Sequence, residues 1–401
     1  MLIKKKKMFL AVQAATACML ALGLNVHAQQ SITATAAENS NLWFIELADK
    51  PLADGNSKQK LNAAKQAFRK AAAEAGVNYT ERRSFDTLFN GFSVEISPAQ
   101  RARLMQVPGV KAIYPVELIL APAAEVGSAG SAADMATAIG MTGADIAQNS
   151  LGYTGTGIKV AVMDTGIDID HPDFGGNGSN GSTAFPTARV AYGYDFVGDA
   201  FNADSTSPSY NPIATPDTNP DDCGGHGTHV AGIVGANGTV KGVAPDVTFG
   251  AYRVFGCNGS TTADIMIAAM EQAYADGMHI LNMSIGSAFQ WPQYPTAQAA
   301  DRLVEKGMVV VASIGNSGAS GLYSAGAPGL GEHVIGVASF DNVASTSAVL
   351  EVNGQDIAYN TMGFSGPVPT AGSGDVVFVG QACNTDPLLT SPAGKIALAV
   401  R

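Results

Sequence analysis

Charge is scarce in this 401-residue chain: Asp, Glu, Lys and Arg together make up 14%. Positive charge is scarcer still, with 23 Lys and Arg against 34 Asp and Glu and a net charge of −11. That balance excludes a nucleic-acid partner, because gripping phosphates takes a basic surface. Apolar runs long enough to span a bilayer are absent after residues 8–24, which excludes a multi-span membrane protein. Cysteine is rare, at four residues, so the chain is no disulfide-built scaffold.

What is present is a large apolar fraction, 46%, and 46 glycines. The first supplies wide cores and the second supplies tight turns and close backbone approaches. Lys4–Lys7, the apolar stretch 8–24 and the small residues around Val26-His27-Ala28 have the form of a secretory signal, with cleavage expected after Ala28. Export makes disulfides permissible. Removal of Cys18 with the signal leaves Cys223, Cys257 and Cys383, an odd number. The charge is also divided along the chain. Residues 41–120 carry 11 Lys/Arg against 8 Asp/Glu, and residues 121–401 carry 8 against 25, so two units of opposite sign are expected to attract.

Residues 42–118 read as a small βαββαβ unit. WFIEL (43–47) is the first strand, and a helix from about Ser57 to Ala75 stops at Gly76. Two strands flank a hairpin-like Asn90-Gly91. Pro98 opens a second helix, and VKAIYPVE (110–117) closes the unit. Residues 121–136 are small and polar, a linker. From Ile158 strands and helices alternate: IKVAVMD (158–164), an irregular stretch 175–221, a helix opened by His226, VTFGAYRVF (247–255), a helix 262–276 with a capping-box pattern at Thr261 and Asp264, HILNMSIG (279–286), a helix from about Thr296 to Lys306, and MVVVASIGN (308–316). This alternation predicts an α/β domain with a doubly wound parallel sheet, whose sites lie at the carboxyl ends of its strands. Asp164, Ser284 and Asn316 stand at such ends.

Each of these residues has a plain reading. An Asp after a strand caps or turns, a His before Gly is often structural, and Asn in Gly-Asn-Ser-Gly makes a turn. Together, in this order, they match three of the four parts of serine hydrolysis: an orienting Asp, a base His and an oxyanion donor. DTGID at Asp164, HGTHVAG at His226, GVAP at 242–245, LNMSIGS at 281–287 and GNSG at Asn316 resemble the subtilisin-like serine peptidases, or subtilases, over roughly residues 137–345. The resemblance implies that Asp164 orients His226, that His226 is the general base, that the Asn316 amide donates to the oxyanion, and that the backbone of Ser284, Ile285 and Gly286 pairs with an extended substrate. Residues 42–118, through WFIEL, LFNGFSVEI and VPGVKAIYPVE, resemble the ferredoxin-like inhibitor propeptide of that family, implying an intramolecular inhibitor.

The Gly-Thr-Ser-Met-Ala-type segment that should carry the nucleophile does not occur. Ser345-Thr346-Ser347-Ala348 lacks the preceding Gly and follows Asn316 too closely, and Ser317 and Ser365 sit in turn-like contexts. Residues 351–401, through DVVFVGQACN and SPAGKIALAVR, resemble the start of a β-rich protease-associated domain, which some subtilases carry between the oxyanion Asn and the serine. The expectation is therefore a chain of signal peptide 1–28, propeptide 42–118, processing region 119–136, catalytic domain 137–350 and partial insert 351–401. The serine and a partner for Cys383 would then lie past residue 401. Cys223 and Cys257 are candidates to pair, bracing the His226 loop.

The implied protein is a secreted, monomeric endopeptidase precursor acting on proteins and peptides, off the membrane once the signal is cleaved, with no cofactor required. The competing reading, a pseudoprotease or peptide-binding module, follows if the serine is truly missing. Asp173 in HPDF matches a position where family members bind calcium, although the turn 235–242 is short for supplying the other ligands. His226, His229, Asp221 and Asp222 lack a convincing third zinc ligand.

Overall fold

The computed structural model describes residues 41–122, 132–340, 342, 348–352, 354–359, 372–380 and 388–399. The signal segment, Cys383 and Ser365 lie outside them, as does most of the Ser345–Ala348 string. Two compact units divide these residues, one ending at Ser345 and a small one after it.

The chain opens with a four-stranded antiparallel sheet, order β2-β3-β1-β4, made of β1 (Leu42–Leu47), β2 (Thr80–Phe85), β3 (Gly91–Glu95) and β4 (Val110–Pro115). Helices α1 (Lys58–Glu74) and α2 (Pro98–Leu104) connect them. Ser57 caps α1 by accepting the Lys60 amide, and Pro98 stands in the first turn of α2. The run WFIEL has no polar face for a physical reason: β1 is covered on both sides. Trp43, Ile45 and Leu47 pack with Phe68, Ala72 and Phe92 in the domain's own core. Phe44, on the other face, joins Phe85, Phe89 and Tyr294 in a larger core. Asn90-Gly91 is not a two-residue hairpin. The turn is Asp86–Asn90, and Gly91 already pairs in β3, where a Cβ would lie 1.8 Å from the Ile45 carbonyl oxygen.

A short strand, β5 (Leu118–Ile119), leads on to α3 (Ala132–Thr142) and α4 (Ala144–Asn149). Six parallel strands follow: β6 (Lys159–Asp164), β7 (Val190–Asp195), β8 (Thr248–Arg253), β10 (Ile280–Met283), β11 (Val309–Ser313) and β12 (Ile335–Val337), in the order β12-β11-β10-β6-β8-β7. β9 (Thr261–Thr262) stands apart and pairs antiparallel with β5. The helices are α5 (His226–Gly235), α6 (Ala263–Ala275) and α7 (Pro295–Glu305). The central strands β6 and β8 are covered on both faces. Val160 and Val162 meet Val230 and Ala231 of α5, whereas Ala161 and Met163 share a core with α6 and α7. That two-sided burial accounts for their unbroken apolar sequence.

Two details differ from the sequence reading. Residues 175–221 are not wholly irregular, because β7 adds an edge strand beside β8. The Thr261–Asp264 capping box does not form. Thr261 Oγ1 is buried without a partner, and the Asp264 carboxylate is taken by Arg82 and Ser93 of the N-terminal sheet.

In the second unit, β13 (Ala348–Val352) and β14 (Gln355–Tyr359) form an antiparallel pair, and β15 (Val376–Gly380) and β16 (Ile396–Ala399) a parallel one. Among the described residues no helix is long and apolar enough to cross a membrane.

Candidate active site

Asp164 is the last residue of β6 and has no exposed surface. Its Oδ1 lies 2.8 Å from His226 Nδ1 and accepts the Thr165 amide at 2.8 Å, while Oδ2 is buried without a hydrogen-bond partner. Burial lifts the carboxyl above its ordinary value, against the opposing pull of the His226 contact. An Asp on one ring nitrogen fixes the tautomer and assigns proton transfer to the other nitrogen.

His226 opens α5. The residue before it, Gly225, has φ of +88°, a left-handed turn that glycine adopts without a Cβ penalty. The next residue, Gly227, donates its amide to Thr165 Oγ1 at 2.8 Å, locking the His loop to the Asp loop. A Cβ on Gly227 would stand 2.2 Å from the Gly166 carbonyl oxygen and 3.0 Å from Asp164 Cβ. Gly227→Ala is therefore expected to force the two loops apart. It should destabilise the chain by about 1–3 kcal/mol in a urea melt, as overpacking does, and should lengthen the His226–Asp164 contact. A fully stable variant with that contact intact would refute the argument.

Cys223 and Cys257 are joined by a disulfide, Cα to Cα 5.0 Å. Beside it the buried Arg253 guanidinium reaches Asp195 Oδ2 (3.2 Å), Asp199 Oδ1 (2.8 Å) and the Asp221 carbonyl oxygen (3.1 Å). Among the described residues the one cluster of metal-ligand type is Asp199, Cys223 and Cys257. Its sulfurs are bonded to each other, so it is a disulfide next to an ion pair and not a metal site.

Ser284 follows β10, and Asn316 stands three residues past β11. Both strands are neighbours in the order β11-β10-β6, so Asp164, Ser284 and Asn316 share one end of the sheet. Ser284 Oγ accepts the Asn282 amide at 3.1 Å, Ile285 is buried, and Gly286 lies against the Ala327 carbonyl. The Asn316 side chain is exposed.

Asp173 does not fit calcium. Its Oδ1 accepts the Thr239 amide (2.8 Å) and its Oδ2 the Val240 amide (3.1 Å), and the carboxylate is buried under Gly238. The loop turns amide hydrogens toward the carboxylate where calcium requires oxygens, and among the described residues Asp173 belongs to no cluster of three metal-ligand side chains.

The N-terminal domain and the segment after it pack on β9, α6 and α7. Leu118 and Ile119 pair with Thr262 and Thr261, the Glu117 carbonyl accepts the Ala263 amide, and Tyr294 Oη meets the Glu117 amide and the Pro115 carbonyl. Arg302 of α7 bonds Asp54 and the Leu88 carbonyl. Glu271 of α6 accepts the Thr87 amide (3.1 Å) and the Leu88 amide (2.8 Å), both on Oε1. The polar part of this docking surface has little sequence signal: Glu271 and Tyr294 lie on a helix face and a turn with no motif around them, and the pattern at Asp264 points to a cap instead.

Burial, followed by the nearby Asp86 charge, pushes Glu271 up to about 7, against the pull of the two amides. Because both amides share one oxygen, the protonated acid keeps them. A raised acid stabilises the folded state fully below the ordinary value of 4.5, and the contribution is lost as pH rises through 7. Glu271→Gln is expected to flatten a stability slope worth about 3 kcal/mol across that window. Urea midpoints of both proteins from pH 4 to 8 read it, and parallel curves would refute it.

The subtilase family profile matches residues 155–392, and the peptidase inhibitor I9 profile matches residues 45–117. The minor extracellular protease Vpr of Bacillus subtilis is 36% identical over 306 residues, covering 73% of this chain and 35% of that protein. Subtilisin DY of Bacillus licheniformis is 36% identical over 208 residues, covering 49% of this chain and 63% of that one. A solved structure, the epidermin leader peptide processing serine protease of Staphylococcus aureus, aligns over 69% of this chain and 60% of its own with a TM-score of 0.48 and 20% identity. The chain spans 35% of Vpr and just under two thirds of subtilisin DY. It belongs to the subtilase family of serine peptidases and carries an I9-type propeptide ahead of its subtilase domain.

Proposed function

We propose that this chain is the front part of a secreted subtilisin-type endopeptidase precursor. Asp164 holds His226 in the tautomer that makes it a general base. The Asn316 amide supports the oxyanion, and the backbone of Ser284–Gly286 takes an extended protein substrate as an added strand. The observation that carries the reading is the 2.8 Å Asp164–His226 contact at the sheet end that Ser284 and Asn316 share.

The propeptide keeps the precursor silent, because its segment 117–119 already occupies the edge beside β9. Secretion through residues 1–28 agrees with the extracellular setting in the name of the Vpr relative. Residues 351–401 form the start of a protease-associated insert. The 401 residues contain no Gly-Thr-Ser-type segment, so we assign no serine of this chain as the nucleophile. The test is hydrolysis of an unstructured protein by a chain that carries such a segment beyond Asn316, with and without His226→Ala. Equal rates in the two would overturn the proposal.

A further inference from the structure

The loop that delivers His226 is built around a carboxylate that serine hydrolysis does not itself require. α5 begins after Gly225, which has no side chain to cap it, so the amides around its first turn need an acceptor from elsewhere. Asp222 supplies it. Its Oδ1 accepts the amides of Gly224 (2.7 Å) and Gly225 (2.9 Å). Its Oδ2 accepts the Thr228 amide (3.0 Å) and the Thr228 hydroxyl (2.6 Å). Thr228 Oγ1 in turn accepts the Asp168 amide at 2.9 Å, from the loop that follows Asp164. Asp222 is itself anchored: its amide bonds Asp221 Oδ1, and the Asp221 carbonyl is held by Arg253, the residue paired with Asp164 across β6 and β8.

We propose that Asp222 is a positioning residue for the base: its carboxylate gathers four donors flanking His226 and ties the His loop to the Asp loop through Thr228. It acts through His226 and touches no reacting atom. This rests on the reading of Asp164 and His226 as the catalytic pair. The charge of Asp222 also reaches Asp164, adding to the upward push of burial on that carboxyl. Asp164, Asp168, Asp170 and Asp221 are the other acids of the two joined loops, and Arg253, whose carboxylate partners are Asp195 and Asp199, reaches them only through the Asp221 carbonyl oxygen, so a neutral residue at 222 removes one of several charges near the imidazole.

The expectation is specific for Asp222→Asn. An Asn offers one acceptor oxygen and two donors where four donors converge, so part of the cap is lost. In the full chain labelled with 15N-histidine, the Nδ1–H signal of His226 is expected to exchange with solvent at least about tenfold faster, and its titration midpoint to fall by about half a unit or more. Asp222→Glu, which keeps the charge, should restore the midpoint. If the Asp222→Asn variant fails to fold, Thr228→Val is the near-isosteric alternative, since it deletes the hydroxyl shared by Asp222 and the Asp168 amide. It should shift the signal in the same direction by less. A lower melting temperature with an unchanged His226 signal in both variants would mean a merely structural cap and overturn the proposal. Asp164→Asn is the control: if it leaves the His226 signal untouched, the Asp–His reading itself fails and this proposal falls with it.

Discussion

A fluorophosphonate probe is expected to leave the 401-residue chain unlabelled, and His226→Ala to change nothing in that outcome. The reason is chemical. Acylation needs a hydroxyl within reach of the base, and no serine here stands in the family's nucleophile context. The Asp164–His226 pair is nonetheless assembled at 2.8 Å. Joined to a serine-bearing continuation, the same chain should therefore label once its propeptide is cleaved. In that protein His226→Ala is expected to lower kcat on the order of 10⁶, because base and nucleophile act as one unit. Asn316→Ala should cost less, about 10²–10³ in kcat, since it removes one oxyanion donor. Labelling of the 401-residue chain at any serine would refute the first expectation. A continuation that labels equally well with and without His226 would refute the second.

Asp264→Ala is expected to loosen the propeptide more than any other single change on α6. This carboxylate has no exposed surface, and it accepts Arg82 Nε (3.1 Å), Ser93 Oγ (2.7 Å) and Thr262 Oγ1 (2.6 Å). Burial alone would lift its pKa, but Arg82, Arg83 and the two hydroxyls together hold it below the ordinary value. Removing it leaves Arg82 facing an apolar interface without its counter-charge, at a cost of about 3–5 kcal/mol. The pH dependence is opposite to that of Glu271. A depressed acid stabilises above its ordinary value and loses that contribution as pH falls, so acid weakens the Asp264 clamp while it favours the Glu271 one. Urea melts of the single variants and of the Arg82→Ala, Asp264→Ala pair give the coupling. An additive double variant would show that the ion pair contributes nothing.

The central parallel strands were legible because β6 and β8 are buried on both faces and so read as apolar runs, whereas β12, exposed at all three residues, carries no such signal. The candidate residues Asp164 and His226 stand out in sequence because they sit in strings with glycines dictated by close contact, Gly166 and Gly227, whereas Gly315 beside Asn316 is set by its φ of +102°. β7 is hard to read because its edge position and Gly-Tyr content hide the pattern among turn residues. The capping box at Thr261 and Asp264 misleads because a local pattern cannot show that a distant Arg82 competes for the same carboxylate. The partners of Asp173 are hidden in a similar way, since the backbone amides of residues 239–240 that bond its carboxylate are invisible in sequence.

One face of β1 has a further consequence. Phe44, Phe85, Leu88 and Phe89 find their cover on the neighbouring helices, outside the propeptide's own core. Cut loose, the propeptide would carry these side chains into water and keep only the smaller of its two cores. A domain of that size with half its apolar face bare spends more time unfolded, and an unfolded segment is what a protease cleaves most readily. Were the domain released as proposed, activation would run as a ratchet, with the inhibitor consumed instead of rebinding.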